Sequence, residues 1–124
     1  MARILLAEDE EALRAFIARA LVQDGHEVVA TADGGEALDA LSGEQGEFDL
    51  LLTDIRMPVM DGIALALAAA RDCPELMILL MTGYADQRER AHGLDALIHD
   101  VITKPFSLAD IRKAVAEALV ARGR

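Results

Sequence analysis

Several kinds of residue are scarce in this chain of 124 residues. Aromatic residues make up only 3%, tryptophan is absent, and there are three prolines and one cysteine. Because Cys73 has no second cysteine to pair with, an internal disulfide framework is excluded. Because rings are so few, the core has to consist of Leu, Ile, Val, Ala and Met, which suits helices packed on a sheet.

Positive charge is scarce as well. Twelve Lys and Arg stand against 22 Asp and Glu, so the formal net charge is −10. This charge repels the phosphates of nucleic acids and of anionic lipids, which disfavours direct DNA binding. Residues 63–70, the longest apolar run, fall far short of the roughly 20 residues that span a bilayer, and the first residues lack a signal-peptide pattern. We therefore expect a cytoplasmic protein without membrane insertion.

The chain is rich in short apolar runs that alternate with segments of helical periodicity. Hydrophobic residues amount to 53%, more than a disordered chain carries. No linker and no internal repeat interrupts the alternation, and the length fits one domain. Strands that are apolar throughout and separated by helices are typical of a parallel sheet covered on both faces. The pattern therefore predicts an α/β fold, a doubly wound sheet of five parallel strands with five helices in (βα)5 order.

Local signals place the helices along the chain. The first predicted helix has an apolar face with helical spacing, made of Leu13, Phe16, Ile17, Ala20 and Leu21. Asp33 and Ser107 are suited to cap the second and the fifth helix. The third and fourth helices are predicted over residues 62–71 and 86–94. We interpret Asp61 as the start of the third helix rather than as a ligand.

Polar or charged residues stand where four of the apolar runs end. They are Glu8 and Asp9 after the first run, Asp54 after the third, Thr82 after the fourth and Lys104 after the fifth. In a doubly wound sheet, ligands bind beyond the carboxyl ends of the strands. The sequence therefore predicts that these five side chains share one site.

The expected site combines three acids with a hydroxyl and an ammonium. Two ionised carboxylates about 4 Å apart repel each other by roughly 4 kcal/mol at an effective dielectric constant near 20, so a compensating cation is expected. Hard oxygen ligands without His or Cys favour Mg²⁺, with Mn²⁺ as a substitute, over zinc. With such a cation, Asp54 could act as the nucleophile of in-line phosphoryl transfer and become an aspartyl phosphate. Thr82 would then donate to the phosphoryl oxygen, and Lys104 would supply fixed positive charge.

Four segments of the chain carry the site residues: ILLAEDE at 4–10, LTDIRMPVMDG at 52–62, MTG at 81–83 and TKPF at 103–106. Together they resemble one known family, the receiver domains of two-component response regulators. The resemblance runs the whole length of the chain. It implies a CheY-like, flavodoxin-like sheet of strand order 2-1-3-4-5, and residues 1–124 are expected to be a single receiver domain without an output domain.

The family resemblance also implies roles for individual residues. Asp54 would be the phosphoacceptor, and Glu8, Asp9, Asp54 and the backbone carbonyl of Arg56 would hold Mg²⁺. The switch and phosphate-binding residues would be Thr82, Gly83 and Lys104, and the Lys104-Pro105 peptide bond is expected to be cis. Arg56 and Tyr84 are expected to flank the phosphoryl group and set its lifetime.

The chain departs from the receiver pattern at one switch position. Receivers usually have Tyr or Phe three residues before the lysine, and here that residue is Val101. The missing aromatic, the Ala-rich helices and a short basic tail are most similar to the alphaproteobacterial CpdR-type receivers. Those are single-domain adaptors that deliver substrates to the ClpXP protease when they are unphosphorylated.

Three functional hypotheses follow from the resemblance and the site chemistry. In the leading one, the chain is a stand-alone receiver in a two-component phosphorelay. It takes phosphate from a histidine kinase or histidine phosphotransfer protein and then binds an output partner in one phosphorylation state, with ClpX or ClpXP as a candidate. In the second, it is a phosphate shuttle or sink without an output partner, docking through the first helix. The third, an aspartyl-phosphate phosphatase, ranks lower because Arg56 stands where a second acid would be needed. The chain is therefore expected not to be an enzyme beyond its own phosphotransfer and autodephosphorylation.

Overall fold

The fold is a parallel sheet with helices on both faces. A computed structural model describes residues 2–43, 47–83, 93–94 and 96–123. Within these residues, five strands pair in parallel in the order β2-β1-β3-β4-β5, as predicted. The elements are β1 Arg3–Ala7, α1 Glu11–Gln23, β2 Glu27–Thr31, α2 Gly34–Ser42, β3 Leu50–Asp54, α3 Gly62–Asp72, β4 Met77–Thr82, β5 Asp100–Thr103 and α4 Leu108–Arg122.

The number of helices differs from the prediction. The described residues contain four helices, whereas five were expected. The predicted helix over residues 86–94 lies outside the described residues, apart from Gly93 and Leu94 at its end, which form a turn. No helix in the described ranges is both long and apolar enough to cross a membrane.

Alternate residues of the strands face two separate halves of the core. On one face, Leu5 and Leu51 pack in a buried cluster with residues of α2 and α3, such as Ala37 and Leu65. On the other face, buried strand residues pack against α1 and α4. Because side chains alternate along a strand, a strand buried on both sides has to be apolar at every position. In β3 this holds for Leu50–Leu52, and the buried stretch continues over the polar residues Thr53 and Asp54 at the end of the strand.

The capping residues predicted from the sequence are confirmed. The Asp33 side chain accepts a hydrogen bond of 2.8 Å from the Glu36 N–H. The Asp61 side chain accepts one of 2.9 Å from the Ala64 N–H, so Asp61 starts α3. Ser107 forms a capping box with Asp110 at the start of α4. A cap of this kind typically stabilises a helix by about 1 kcal/mol.

The predicted apolar face of α1 is wrong in one residue. Ile17, Ala20 and Leu21 are buried, but Phe16 is 58% exposed. Successive residues of a helix point about 100° apart, so the residue before Ile17 lies at the edge of the buried face. The spacing of apolar residues could not distinguish a residue at this edge from one at the centre.

The loop between β3 and α3 packs closely because Gly62 has no side chain. A Cβ on Gly62 would overlap the carbonyl oxygen of Asp54. The Gly62 N–H donates a hydrogen bond of 2.7 Å to the Ile55 carbonyl, which folds the chain back on the end of β3. The absence of a side chain at Gly62 therefore allows the close turn that follows Asp54.

Candidate functional site

The carboxyl ends of the parallel strands converge on a cavity. Its volume is about 510 Å³, and it lies beyond the ends of β1, β3, β4 and β5. The lining residues among those described are Glu8, Asp9, Glu10, Asp54, Arg56, Gly83, Lys104 and Pro105. This is the edge at which doubly wound sheets bind their ligands.

A partly buried ion pair lines the cavity. The Lys104 ammonium donates a hydrogen bond of 3.0 Å to Asp54 Oδ2 and lies 3.8 Å from Glu8 Oε1. The side chains of Glu8 and Asp54 are only 1% and 7% exposed, whereas that of Lys104 is 31% exposed. One ammonium therefore faces two buried carboxylates, which leaves an excess of negative charge in the site.

Three acids could hold a divalent cation together. Glu8, Asp9 and Asp54 each offer a carboxylate oxygen, and these oxygens lie within 4.8 Å of one another. Within the described part of the chain, Glu8 Oε1 is buried and accepts no hydrogen bond. A buried carboxylate oxygen without a donor is costly, and a cation would compensate it. The all-oxygen donor set fits Mg²⁺.

The burial of Glu8 makes its carboxyl group harder to ionise. Burial raises the pKa of the Glu8 carboxyl to about 7, with smaller increases from the charge of Asp54 and a hydrogen bond with Asp9. The Glu10 N–H and the charge of Lys104 lower this pKa but do not offset burial. A carboxylate beside like charge and away from water resists ionisation unless a cation is present.

The acidic neighbours of Lys104 raise the pKa of its ammonium. Partial burial lowers the pKa of its ammonium, but the hydrogen bond and charge of Asp54 raise it, with help from Glu8 and Glu10. The net pKa lies above the ordinary value. Lys104 therefore stays charged in the folded protein throughout the neutral range.

Two residues that position Glu8 were missed as site residues. The Glu10 N–H donates a hydrogen bond of 2.9 Å to Glu8 Oε2, and the Arg14 guanidinium donates one of 2.9 Å to the Glu8 carbonyl. A side-chain bond to the second residue along is typical of acids just before a helix, which is the signal that could have identified Glu10. The contact of Arg14 depends on how α1 is placed and has no signal in the sequence.

The remaining predicted site residues lie around the cavity or beside it. Thr82 is fully buried at the end of β4. Arg56 is exposed and lines the cavity, and a Cβ on Gly83 would make an ordinary contact of 3.6 Å with the Lys104 side chain. Val101 packs against the α2–α3 half of the core. Tyr84, expected to tune the phosphoryl lifetime, lies outside the described residues.

Residues 4–116 match the family described as the response regulator receiver domain. The chain belongs to the response regulator receiver family. Among curated relatives, the receiver is 40% identical to the response regulator receiver protein CpdR of Brucella abortus, over 98% of this chain and 99% of that protein. Other curated relatives are longer, and the receiver spans 42% to 47% of their length.

Solved structures of other receivers have the same fold. A CheY-like receiver domain protein from Methanospirillum hungatei superposes with a TM-score of 0.90 at 30% identity, over 99% of this chain and 97% of that one. The response regulator TrrA from Thermotoga maritima, solved in complex with Mg²⁺-BeF, superposes with a TM-score of 0.83 at 28% identity. That alignment covers 96% of the present receiver and all of TrrA, 100%.

The receiver also has the cis peptide bond that the resemblance implied. The Lys104-Pro105 bond is cis, and Pro105 lines the cavity beside Lys104. The Lys104 N–H donates a hydrogen bond of 2.7 Å to the Thr82 carbonyl, which ties the end of β5 to the end of β4. The two strand ends that carry the hydroxyl and the ammonium are thus joined directly.

Proposed function

We propose that this receiver accepts a phosphoryl group on Asp54 from a phosphohistidine of a histidine kinase or a histidine phosphotransfer protein. The observation that carries the proposal is the 3.0 Å contact between Lys104 Nζ and Asp54 Oδ2 beside two further acids. An acceptor carboxylate needs fixed positive charge nearby and room for an anion. Lys104 supplies the first, and the cavity of about 510 Å³ supplies the second.

The proposed transfer is an in-line displacement. An Asp54 carboxylate oxygen attacks phosphorus and forms a P–O bond while the P–N bond to the donor imidazole breaks, and the imidazole nitrogen keeps the electron pair. Mg²⁺, or Mn²⁺ in its place, bound by Glu8, Asp9, Asp54 and the Arg56 carbonyl, would neutralise charge on the phosphoryl oxygens. Lys104 and the Thr82 hydroxyl would bind the oxygens that arrive with the phosphoryl group, while Gly83 leaves space for them. The receiver itself would perform no turnover beyond this transfer and the hydrolysis of the aspartyl phosphate, in which water takes the phosphoryl group as inorganic phosphate and the Asp54 carboxylate is restored.

Phosphorylation would redirect the central ion pair and so change the surface that partners meet. The phosphoryl oxygens would accept hydrogen bonds from the Lys104 ammonium in place of Asp54 Oδ2. The Thr82 side chain, at the neighbouring strand end, would move toward the same oxygens. Val101 replaces the aromatic residue that usually follows this movement, so the readout has to take another route. We infer that an output partner binds one phosphorylation state, and the similarity to CpdR over nearly the whole of both chains supports a ClpXP adaptor role.

A phosphate shuttle is the second candidate. Val101 in place of the switch aromatic favours it, because a shuttle needs no output face. The two roles differ in one measurable respect: an adaptor binds a non-kinase partner in a manner that depends on Asp54, whereas a shuttle binds only histidine-bearing partners.

Phosphoryl acceptance is tested with a phosphorylated histidine phosphotransfer protein and Mg²⁺. We expect a phosphorylated receiver on a phosphate-affinity gel, no such species with Asp54→Asn, and normal labelling with Asp39→Asn on the exposed side of α2. Labelling of Asp54→Asn at the wild-type rate would refute the assignment.

The adaptor role is tested by binding to purified ClpX, measured with and without beryllofluoride and Mg²⁺. Binding that is lost on adding beryllofluoride to the wild type but kept in Asp54→Ala supports the adaptor. Equal absence of binding in all samples, with phosphoryl transfer intact, supports the shuttle.

A further inference from the structure

The acidic segment, residues 8–10, joins β1 to α1 and carries two of the three acids of the proposed cation site. The other three helices among the described residues begin with a side-chain cap, whereas the Glu10 side chain makes no cap at the start of α1. The Glu8 N–H donates a hydrogen bond of 3.1 Å to the Thr31 carbonyl, just beyond the last residue of β1. The rest of the segment has to be held by other hydrogen bonds.

Arg14 supplies one of these hydrogen bonds from the first turn of α1. Its guanidinium donates a hydrogen bond of 2.9 Å to the Glu8 carbonyl, and the Glu10 N–H donates one of 2.9 Å to Glu8 Oε2. Long side chains on a helix lean toward its amino-terminal end, so Arg14 can reach the chain that precedes α1. Arg14 is partly buried, and a hydrogen bond from a charged donor is stronger than one between neutral groups.

The Arg14 guanidinium contacts the backbone of the acidic segment and not its carboxylates. Among the residues that the structure describes, its side chain donates to the Glu8 carbonyl and to none of the three acids of the cation site. The carboxylates of Glu8, Asp9 and Asp54 repel one another, and this repulsion favours turning the exposed Asp9 toward water. Arg14 thus restrains the segment without blocking the oxygens that a cation would bind.

We propose that Arg14 is a positioning residue that holds Glu8 and Asp9 in the arrangement Mg²⁺ requires, and so favours Mg²⁺ over a larger cation. Mg²⁺ demands near-ideal octahedral geometry, whereas Ca²⁺ accepts irregular sets of about six to eight oxygens. A segment that can shift therefore weakens the binding of Mg²⁺ more than that of Ca²⁺. The inference rests on the proposed function, because it concerns the cation of the phosphoacceptor site.

Cation affinity is measured by isothermal titration calorimetry of the unphosphorylated receiver with MgCl₂ and, separately, with CaCl₂. We expect Arg14→Met to weaken Mg²⁺ binding about tenfold, in the range for residues that orient metal ligands. Ca²⁺ binding should weaken about twofold, so the ratio of the two affinities falls about fivefold. Arg14→Lys keeps the charge and a donor, and it should recover most of the Mg²⁺ affinity.

Arg19→Met is the matched control, because it removes the same charge from an exposed position of α1. Loss of a positive charge should by itself strengthen cation binding slightly, so weaker binding in Arg14→Met alone cannot come from charge. Circular dichroism melts show whether the variants are folded, and Arg14→Gln serves the same comparison if Arg14→Met is not.

Two results would overturn the role of Arg14. One is an unchanged Mg²⁺ affinity in its neutral variants, and the other is an equal loss for Mg²⁺ and Ca²⁺, which would indicate a general structural defect. With wild-type phosphorylation intact, either result refutes this inference alone. A wild type that binds Mg²⁺ as expected but accepts no phosphoryl group on Asp54 would refute the proposed function and leave the role of Arg14 standing. A wild type that binds no Mg²⁺ would refute both.

Discussion

The Lys104 ammonium lies 3.0 Å from Asp54 Oδ2, so the proposed phosphoacceptor is held by the cation that would later hold its phosphoryl group. The Asp54 side chain is 7% exposed and that of Lys104 is 31% exposed, so water screens this contact only in part. The pair links residues that are 50 positions apart in the chain. It therefore contributes both to folding and to the proposed function.

Removal of the Lys104 charge is expected to destabilise the fold when no metal is present. Lys104→Met leaves two buried carboxylates without their ammonium, which should lower the free energy of unfolding by about 1–3 kcal/mol at pH 8. Urea unfolding in EDTA measures this. Lys113→Met, at an exposed position of α4, should change stability little, and an equal loss in both variants would contradict the role given to Lys104.

Stability without metal is expected to fall as pH rises through the range in which Glu8 ionises. The pKa of Glu8 is about 7 in the folded state, above its ordinary value of 4.5, because of burial first and then Asp54 and Asp9, with Lys104 acting against them. Between these values the folded chain binds the extra proton, so unfolding becomes easier as pH increases from about 4.5 to about 7. For a shift of this size the total change should be about 3 kcal/mol, at about 1.36 kcal/mol per pKa unit.

Urea unfolding in EDTA between pH 5 and pH 8 checks the Glu8 contribution. Glu8→Gln should remove most of the slope, because an amide does not titrate. Glu117→Gln, an exposed change on α4, should keep it. A slope that is the same in both variants would assign the effect to other groups.

Mg²⁺ is expected to stabilise the folded receiver by mass action. Binding to Glu8, Asp9 and Asp54 in the folded state alone adds about 2.7 kcal/mol at a concentration one hundred times the dissociation constant. Melting temperatures over a Mg²⁺ titration should rise accordingly, and Asp54→Asn should reduce the rise. Asp39→Asn should leave it unchanged. A flat titration of the wild type would rule out the proposed cation site.

Gly62→Ala is expected to destabilise the receiver by about 1–3 kcal/mol, in the range of overpacking mutations. The added methyl group overlaps the Asp54 carbonyl oxygen, which belongs to the rigid end of β3. Thermal unfolding measures the change. Gly93→Ala is the control, because a Cβ there meets nothing within 4 Å. Phosphorylation should also slow in Gly62→Ala, since the backbone of the acceptor has to shift.

Val59→Gly is expected to stabilise the receiver by about 0.5–1 kcal/mol, although it removes a side chain. Relief of the left-handed strain at φ 71° exceeds the entropy that glycine adds to the unfolded state. The same change at Val22, which is 56% exposed on α1, should instead destabilise by about 0.5–1 kcal/mol because glycine disfavours helix. Chemical denaturation of both variants measures whether their changes in the free energy of unfolding have opposite signs.

Much of the fold and of the site could be predicted from local patterns. Apolar runs such as Leu50–Leu52 predicted buried strands, and Asp33, Asp61 and Ser107 were recognisable as caps because each accepts from a backbone N–H three residues on. The position of Asp54 at a strand end followed from the same patterns. Phe16 was placed wrongly, because spacing does not tell how far a buried face extends around a helix.

The sequence by itself determined the succession of strands and helices along the chain, the caps, and which polar residues stand at the strand ends. Each of these depends on neighbours within a few residues. Only the tertiary structure decided that Glu8 Oε1 is buried without a donor, that Arg14 donates to the Glu8 carbonyl, and that Phe16 lies outside the buried face of α1. These properties depend on distances between segments far apart in the chain. Local periodicity carries no information about such distances.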